Sequence, residues 1–265
     1  LGDVYKRQEL LLPSPWAVVR SFCGLAQTTE FYRSILHTLL RVAAGFAAGM
    51  AAGLLAGTLT AFSRAADVLL TPLKNIIKAT PVTSFIVLIL LYFSSNVTPS
   101  AVAFLAVLPI CWSNVCEGLR QTDKKMTELA HAYAFGRKKT LREIYFPAVR
   151  PYLSAAATTG LGFAWKSCVA AEVIALSKNS VGRALYESKL YLETAELFAW
   201  TASVVLISVL FEKLLVHKLF KNKNTEGAAG RRSESLEHGH ASCEAELQYK
   251  SDTYAEYGRD EERNI

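Results

Sequence analysis

The sequence has few cysteines and no spacing that would join them. Its five cysteines form no Cys-x-x-Cys pair, and an odd number spread along the chain argues against a disulfide framework or a zinc site. The chain also lacks a Gly-x-x-x-x-Gly-Lys-Ser/Thr phosphate loop, so we do not expect it to hydrolyse ATP itself. We therefore expect this chain to bind no metal and no cofactor.

Formal charges are absent from several long stretches. Residues 42–62 contain none, and at about 1.5 Å per residue they would extend over about 31 Å, which is close to the hydrocarbon thickness of a bilayer. Further apolar stretches are residues 81–93, 101–116, 152–175 and 198–216. The pattern predicts an all-α, polytopic transmembrane helix bundle with about five spans in this chain.

The positive charge lies between these stretches. The net charge of +6 does not indicate nucleic-acid binding, because the basic residues form no patch interleaved with aromatic residues. Residues 117–151 carry eight basic and four acidic side chains, so the positive-inside rule predicts that this loop is cytoplasmic. The same rule predicts that residues 63–80 and the C-terminus are cytoplasmic, and that residues 94–100 and 176–197 are outside.

The two ends are treated separately. Residues 3–8 resemble the in-frame translation of a transposase-type sequencing adaptor, so we expect residues 1–10 to be a non-native or truncated start, with one further span before them in a normal chain. Ser14 as cap and Pro15 at the first helical position predict a short interfacial helix over residues 16–25. Residues 11–220 form the predicted membrane domain, and residues 221–265 are expected to be a disordered polar tail.

One predicted span has a face with almost no side chains. Its glycines recur every fourth residue, and they are Gly45, Gly49, Gly53 and Gly57. Such a face allows a second helix to approach closely, and association in lipid depends strongly on this kind of packing. The repeat therefore predicts a helix–helix contact, and it carries no information about a solute.

The loop at residues 117–151 contains the most informative pattern. Residues 126–146 predict one helix, in which small residues alternate with larger ones. The small residues are Ala130, Ala132 and Ala134. They would let the helix lie deep in a cleft of a partner, with Glu128 and Arg137 available for charged contacts at the rim. Pro147 ends the segment and begins the next span.

This segment resembles the coupling loop of the bacterial binding-protein-dependent ABC import permeases. Their pattern is Glu-Ala-Ala, three residues, Gly and, after a longer spacing, an aliphatic residue followed by Pro. The matching positions here are Glu128, Leu129, Ala130, Ala134, Phe146 and Pro147. Leu129, Ala134 and Phe146 depart from the pattern. Because Ala134 stands where the pattern has a glycine at a bend, we expect Gly136 to supply the conformational freedom.

The resemblance covers about residues 11–218. Within this range the sequence is similar to the nitrate, sulfonate and taurine branch of these permeases. The segments that carry the branch are residues 12–15, 40–42, 151–153, 160–166 and 170–172. The family implies a second permease copy, most simply in a homodimer, two cytoplasmic ATPase subunits that bind ATP and Mg, and an extracytoplasmic solute-binding protein. It also implies a location in the bacterial cytoplasmic membrane and a loop that transmits motion from the ATPase.

Two charges fall within the predicted fourth span. Trp165, Lys166 and Glu172 form the candidate substrate path, because ionisable groups at that depth are usually paired or line a pathway. Six residues turn through about 600° along a helix, so Lys166 and Glu172 do not share a face and should have separate partners. Lys166 either attracts an anionic solute or is a structural or snorkelling lysine.

The leading hypothesis is a permease subunit for a small solute such as a sulfonate, nitrate or taurine. An ABC permease for a pyrimidine or vitamin precursor is the alternative within the family. A secondary carrier would show repeated halves and polar breaks at the midplane, and the sequence shows neither clearly. A membrane-embedded enzyme would need a catalytic cluster within the spans, and none is apparent.

Overall fold

The computed structural model describes residues 13–220, with all their side chains except those of Lys124, His131, Arg137, Glu212 and residues 214–220. Every regular element in this part of the chain is helical, which confirms the all-α class. The helices are α1 (Pro15–Leu25), α2 (Thr29–Phe62), α3 (Arg64–Ala79), α4 (Val82–Tyr92), α5 (Thr98–Arg120), α6 (Lys124–Ala132), α7 (Arg137–Thr140), a π-helix (Leu141–Tyr145), α8 (Phe146–Ala175), α9 (Val181–Leu190) and α10 (Thr194–Phe220). The predicted start at residues 1–10 and tail at residues 221–265 lie outside the described residues.

The first short helix forms as the sequence predicts. The Ser14 hydroxyl accepts a hydrogen bond from the Ala17 amide at 3.3 Å, and Pro15 occupies the first helical turn. The first amides of a helix have no carbonyl partner within the helix. Ser14 accepts from one of them, and Pro15 has no amide hydrogen that would need a partner. The predicted helix start is therefore confirmed.

The contact between α2 and α5 brings the two helices to within backbone distance. An added methyl group on Gly45 would lie 2.4 Å from the Ser100 carbonyl oxygen, and one on Gly53 would lie 2.6 Å from Cys111 Cβ. An added methyl group on Gly49 or on Gly57 would lie 2.9 Å from the nearest atom of α5. Contacts advance together along both chains, so the two helices run parallel. The predicted role of the four glycines in close packing is confirmed.

Helix α8 runs antiparallel to α2 and α5 and fills the groove that they form. Near its start Tyr152 lies against Gly118, and near its end Ala171 packs with Val102. The Trp165 indole donates to the Val204 carbonyl of α10 at 3.2 Å. Residues up to Lys213 belong to one compact unit with α8 at its centre.

Helices α3 and α4 form a bent pair. They meet at an angle of 103°, with the break at Thr80 and Pro81. Helix α4 alone has 11 residues and is only about 16 Å long, so the predicted span over residues 81–93 could cross a membrane only together with α3, as one half of a broken span. Helix α3 was missed, although Ser63 caps it by accepting from the Ala66 amide and its apolar residues repeat with helical spacing.

The number of spans differs from the prediction. By length and apolar composition, three helices of the described part could cross a membrane, and the bent pair could be a fourth crossing. Helix α8 has 30 residues and is long enough, but Lys166, Glu172 and many small or polar residues lower its hydropathy. In place of the about five predicted spans, the described residues form three strongly apolar helices, a bent pair and the more polar α8.

The glycine contact gives a matched test. Gly45→Ala should destabilise the bundle by about 1–3 kcal/mol, because the methyl group overlaps backbone atoms of α5. Gly160→Ala is the control, since its methyl group would lie 3.4 Å from Val107 Cγ1, an ordinary contact. Both changes gain the same helix propensity. Denaturant unfolding of each purified variant in detergent measures the difference, and equal midpoints would contradict the packing model.

Candidate functional site

The coupling loop is not the single helix that the sequence predicts. Helix α6 ends at Ala132, a turn follows, and the chain re-enters helical structure at α7. Ala130 is only 3% exposed among the described residues. The prediction that the small residues Ala130, Ala132 and Ala134 let this segment lie in a cleft of a partner is therefore not supported at Ala130, because its side chain is already buried within this chain.

The bend between α6 and α7 is made by Ala134. Its φ is 52°, in the left-handed region, whereas no described glycine has positive φ. The expectation that Gly136 supplies the freedom is therefore wrong. A left-handed conformation costs an L-residue about 1–2 kcal/mol, so the loop holds Ala134 in a conformation that glycine would adopt without this cost.

Other predicted loop residues lie at the surface. Glu128 and Leu129 are exposed on α6, and Pro147 is exposed in the first turn of α8. The Arg137 side chain lies outside the described part of the structure. The π-helix directly precedes α8, so the chain is helical on both sides of this junction. Pro147 lies in the first turn of α8, where a missing amide hydrogen does not break the helix.

Helix α6 presents an apolar surface that the sequence analysis did not identify. Met126, Leu129 and Tyr133 have spacings of three and four residues and are 54%, 54% and 71% exposed. These spacings place the three side chains on one side of a helical turn. We call them the α6 apolar face.

A buried ion pair lies at the other end of the bundle. Arg41 Nη1 is 2.9 Å from Glu172 Oε1, and the Glu172 side chain is fully buried. Glu172 also accepts from the Thr38 hydroxyl at 2.9 Å and from the Gly182 amide at 3.2 Å. The expectation that Glu172 and Lys166 have no common partner is consistent with this geometry, and the partner of Glu172 is Arg41 on α2.

The same network holds the segment between α8 and α9. Arg41 Nη2 donates to the Lys178 carbonyl at 2.9 Å, and the Lys178 amide donates to Asn96 Oδ1 at 3.0 Å. Gly182 lies so close to α8 that an added methyl group would be 2.4 Å from Glu172 Cβ. We call Thr38, Arg41, Glu172 and Gly182 the Arg41 network. It joins α2, α8 and α9 through one buried carboxylate.

The predicted substrate path is only partly supported. Trp165 and Glu172 are fully buried and have no surface with which to contact a solute, so the structure removes them from the path. Lys166 lies on the opposite side of α8 and is exposed. Within the described residues it has no ion pair. The prediction of a structural ion pair for Lys166 is therefore not supported among these residues, and the snorkelling alternative stays a prediction.

Lys166 belongs to an exposed stripe along α8. The exposed residues of the stripe are Ala155, Thr159, Phe163, Lys166, Ala170 and Ile174. Their spacings of three and four residues place them on one helix face. Lys166 is its only charged member, and we call this surface the Lys166 stripe.

Two cavities open on the described surface. One, of about 810 Å³, lies at the Arg41 end between the start of α2 and α9, and it includes Arg33, Arg183, Glu187 and Glu196 in its lining. The other, of about 310 Å³, lies between the α3–α4 break, the middle of α5 and the Lys166 stripe. Its lining is mostly apolar, with Lys78, Thr80 and Thr159 as the polar side chains. The sequence analysis identified neither cavity.

Comparisons with known proteins identify the family of this helical bundle. Residues 49–217 match the family model described as binding-protein-dependent transport system inner membrane component. The chain belongs to this family. The resemblance that the coupling loop indicated is therefore confirmed, and the chain is a membrane-located transport subunit of the ABC importer permease type.

Two similar permeases carry names that mention sulfonates. The putative aliphatic sulfonates transport permease protein SsuC of Bacillus subtilis (strain 168) is 27% identical over 81% of this chain and 79% of its own length. The protein of the same name from Escherichia coli (strain K12) is 28% identical over 77% and 75%. The riboflavin transport system permease protein RibX of Chloroflexus aurantiacus is 31% identical over 78% and 80%. The sulfonate-type branch is thus supported.

The fold itself is also found in a solved structure. An amino acid ABC transporter with histidines superimposes with a TM-score of 0.60 and 15% identity, over 73% of this permease and 93% of that chain. At this identity the likeness concerns the fold. It confirms the predicted helix bundle of the ABC permease type.

The Arg41 network gives a second prediction. Arg41→Met should lower the free energy of unfolding by about 3–5 kcal/mol, because it leaves the buried Glu172 carboxylate without its counter-charge. Lys166→Met is the control, since it removes an exposed cation from the same bundle. Adding Glu172→Met to Arg41→Met should recover part of the loss. Denaturant unfolding in detergent measures the free energy of unfolding of the unmodified protein and of the three variants. Equal stability of Arg41→Met and Lys166→Met would refute the buried pair.

Proposed function

We propose that this chain is the translocating subunit of an ATP-driven importer for small aliphatic sulfonates. The observation that carries the proposal is Lys166 on the exposed face of α8, a cation with no ion pair among residues 13–220 as far as their side chains are described, in a permease similar to two sulfonate-named relatives. A charge on a membrane helix is costly unless it is paired or lines a polar pathway. An anionic solute would supply the missing counter-charge during passage.

A separate ATPase is the proposed partner of the α6 apolar face. Met126 and Leu129 on α6 and Tyr133 directly after it are large apolar side chains that are costly to leave in water, and about 54–71% of each is exposed. The pattern of apolar anchors with helical spacing is typical of a helix that docks in a groove. ATP and Mg would bind to that subunit, and the loop would pass its motion to α8 through the π-helix.

A second permease copy is the proposed partner of the Lys166 stripe. Small residues at Ala155 and Ala170 allow a close approach of another helix, while Lys166 keeps part of the interface polar. In a homodimer, two stripes would enclose one path with two cations. The coupling-loop end and the C-terminus would be cytoplasmic.

An extracytoplasmic binding protein is the proposed partner of the Arg41 end. The cavity of about 810 Å³ there is open and lined by both positive and negative side chains. Such surfaces favour recognition of a partner with complementary charge. The Arg41 network fixes α9 beneath this surface, so docking would act on α2 and α8 together.

The ATPase contact can be tested by a charge on the α6 apolar face. Leu129→Asp should reduce co-purification of the ATPase at least about tenfold, because the carboxylate would be buried in an apolar interface. Leu190→Asp is the matched control, since it changes another exposed leucine on α9. Pull-down from membranes measures both. Equal recovery of the ATPase would show that α6 does not form the contact.

The substrate is tested in proteoliposomes that contain the permease, its ATPase and its binding protein. We expect ATP-dependent uptake of butanesulfonate, and no uptake when the ATPase is omitted. Riboflavin is the competing solute, because the RibX relative is 31% identical to this chain. Uptake of riboflavin without uptake of sulfonates would replace the proposed substrate, and uptake that needs no ATPase would contradict the mechanism.

A further inference from the structure

The break between α3 and α4 lies at the surface of the bundle, beside a cavity that also borders the middle of α5. The cavity at the break is lined by Ile77 and Phe85 on one side and by Leu105 and Pro109 on the other. Helix α5 extends from Thr98 to Arg120, so Pro109 is its central residue. The sequence analysis recognised no such midplane break.

Two prolines leave backbone carbonyls at the cavity without helical partners. Pro81 has no amide hydrogen to donate to the Ile77 carbonyl, and Pro109 has none to donate to the Leu105 carbonyl. Both Ile77 and Leu105 line the cavity. Broken backbone at membrane depth is tolerated where it is buried in protein or borders a water-filled space, so this cavity can hold water and polar solutes.

The side chains around the cavity divide by chemistry. Lys78 and Thr159 are exposed, and among the described residues neither has a side-chain hydrogen bond or an ion pair. The rest of the lining is largely apolar, and its apolar residues include Val82, Phe85 and Phe163. A site with one cation and a mainly apolar wall is complementary to a short organic anion, with its charged head at Lys78 and its chain against the wall.

The cavity also adjoins the Lys166 stripe. Thr159 and Phe163 belong to both surfaces, and Lys166 follows Phe163 by three residues on the same face of α8. Three residues correspond to a rise of about 4.5 Å. Lys166 is therefore about one helical turn along α8 from Phe163, at the edge of the cavity whose lining includes Lys78.

We propose that the cavity at the α3–α4 break is an intermediate binding site for a short-chain organic anion, in which Lys78 binds the anionic group and Val82, Phe85, Ala106 and Phe163 select the length of the chain. This inference rests on the proposed function, since it assigns a binding site within the same translocation path. It places a specificity step inside the membrane, in addition to the selection made by a binding protein. Lys78 contacts the solute directly in this site.

The test uses the complete transporter, with ATPase and binding protein, in proteoliposomes. Labelled ethanesulfonate and hexanesulfonate are the probes, and binding protein is kept saturating so that uptake reports on the membrane step. Lys78→Met should lower the maximal uptake rate of both at least about tenfold, because a charge-assisted contact is lost, whereas Lys78→Arg should retain most of it. Arg20→Met is the control, since it removes an exposed cation from α1, which does not line the cavity.

Ala106→Leu tests the site through the ratio of two uptake rates. Misfolding would lower both rates together and leave their ratio unchanged. A larger side chain shortens the cavity, so the ratio of hexanesulfonate to ethanesulfonate uptake should fall about tenfold or more. Normal uptake by Lys78→Met would overturn the site. If both Lys78 variants are inactive, an altered ratio in Ala106→Leu supports the site and an unchanged ratio overturns it.

The unmodified transporter separates this inference from the proposed function. Should it import neither sulfonate, the proposed substrate class is refuted together with the site. Should it import both sulfonates while the Lys78 and Ala106 variants behave as the unmodified protein does, only the intermediate site is refuted.

Discussion

The whole bundle depends on the contact between the glycine face of α2 and the backbone of α5. Because the glycines of α2 have no side chains, α5 approaches the backbone of α2 from Gly45 to Gly57, over about three helical turns. Their joint surface forms the groove that receives α8, and α8 in turn supports α10 through Trp165. In a membrane such close packing replaces the hydrophobic expulsion that stabilises soluble bundles. Each polar feature of the permease is positioned by this dry contact.

Helix α8 serves two purposes because its two faces have opposite environments. Its buried face carries Glu172, whose charge is balanced by Arg41 and whose remaining lone pairs are occupied by Thr38 and Gly182. Its exposed face carries Lys166, for which the chain provides no counter-charge among the described residues. Neutralising one charge within the chain stabilises the fold, whereas leaving the other open to a solute is compatible with transport. The α3–α4 break lies beside this exposed face, so irregular backbone and free charge occur together.

Local patterns in the sequence predicted much of this architecture, but they did not predict contacts between residues far apart in the chain. The glycine repeat, the Ser14 cap and the opposite directions of Lys166 and Glu172 follow from helical periodicity alone. Arg41 pairs with a residue 131 positions away, which no local rule specifies. The α3–α4 break had a signal in Pro81 and in the cap at Ser63, but the apolar run concealed it. Ala134 takes the left-handed conformation because the surrounding loop fixes it, and propensity would have assigned that role to Gly136.

The central proposal is that a nucleotide-driven motor at the α6 end changes access to the Lys166 stripe. The most direct measurement is the rate at which a membrane-impermeant thiol reagent labels Ala170→Cys in the complete transporter. Cys23→Ser removes the exposed thiol of the described residues, and Cys243→Ser removes the thiol that lies outside them. The buried cysteines react slowly. The account predicts that ATP binding changes the labelling rate several-fold, and that Leu129→Asp abolishes the change. A rate that is the same with and without ATP would contradict it.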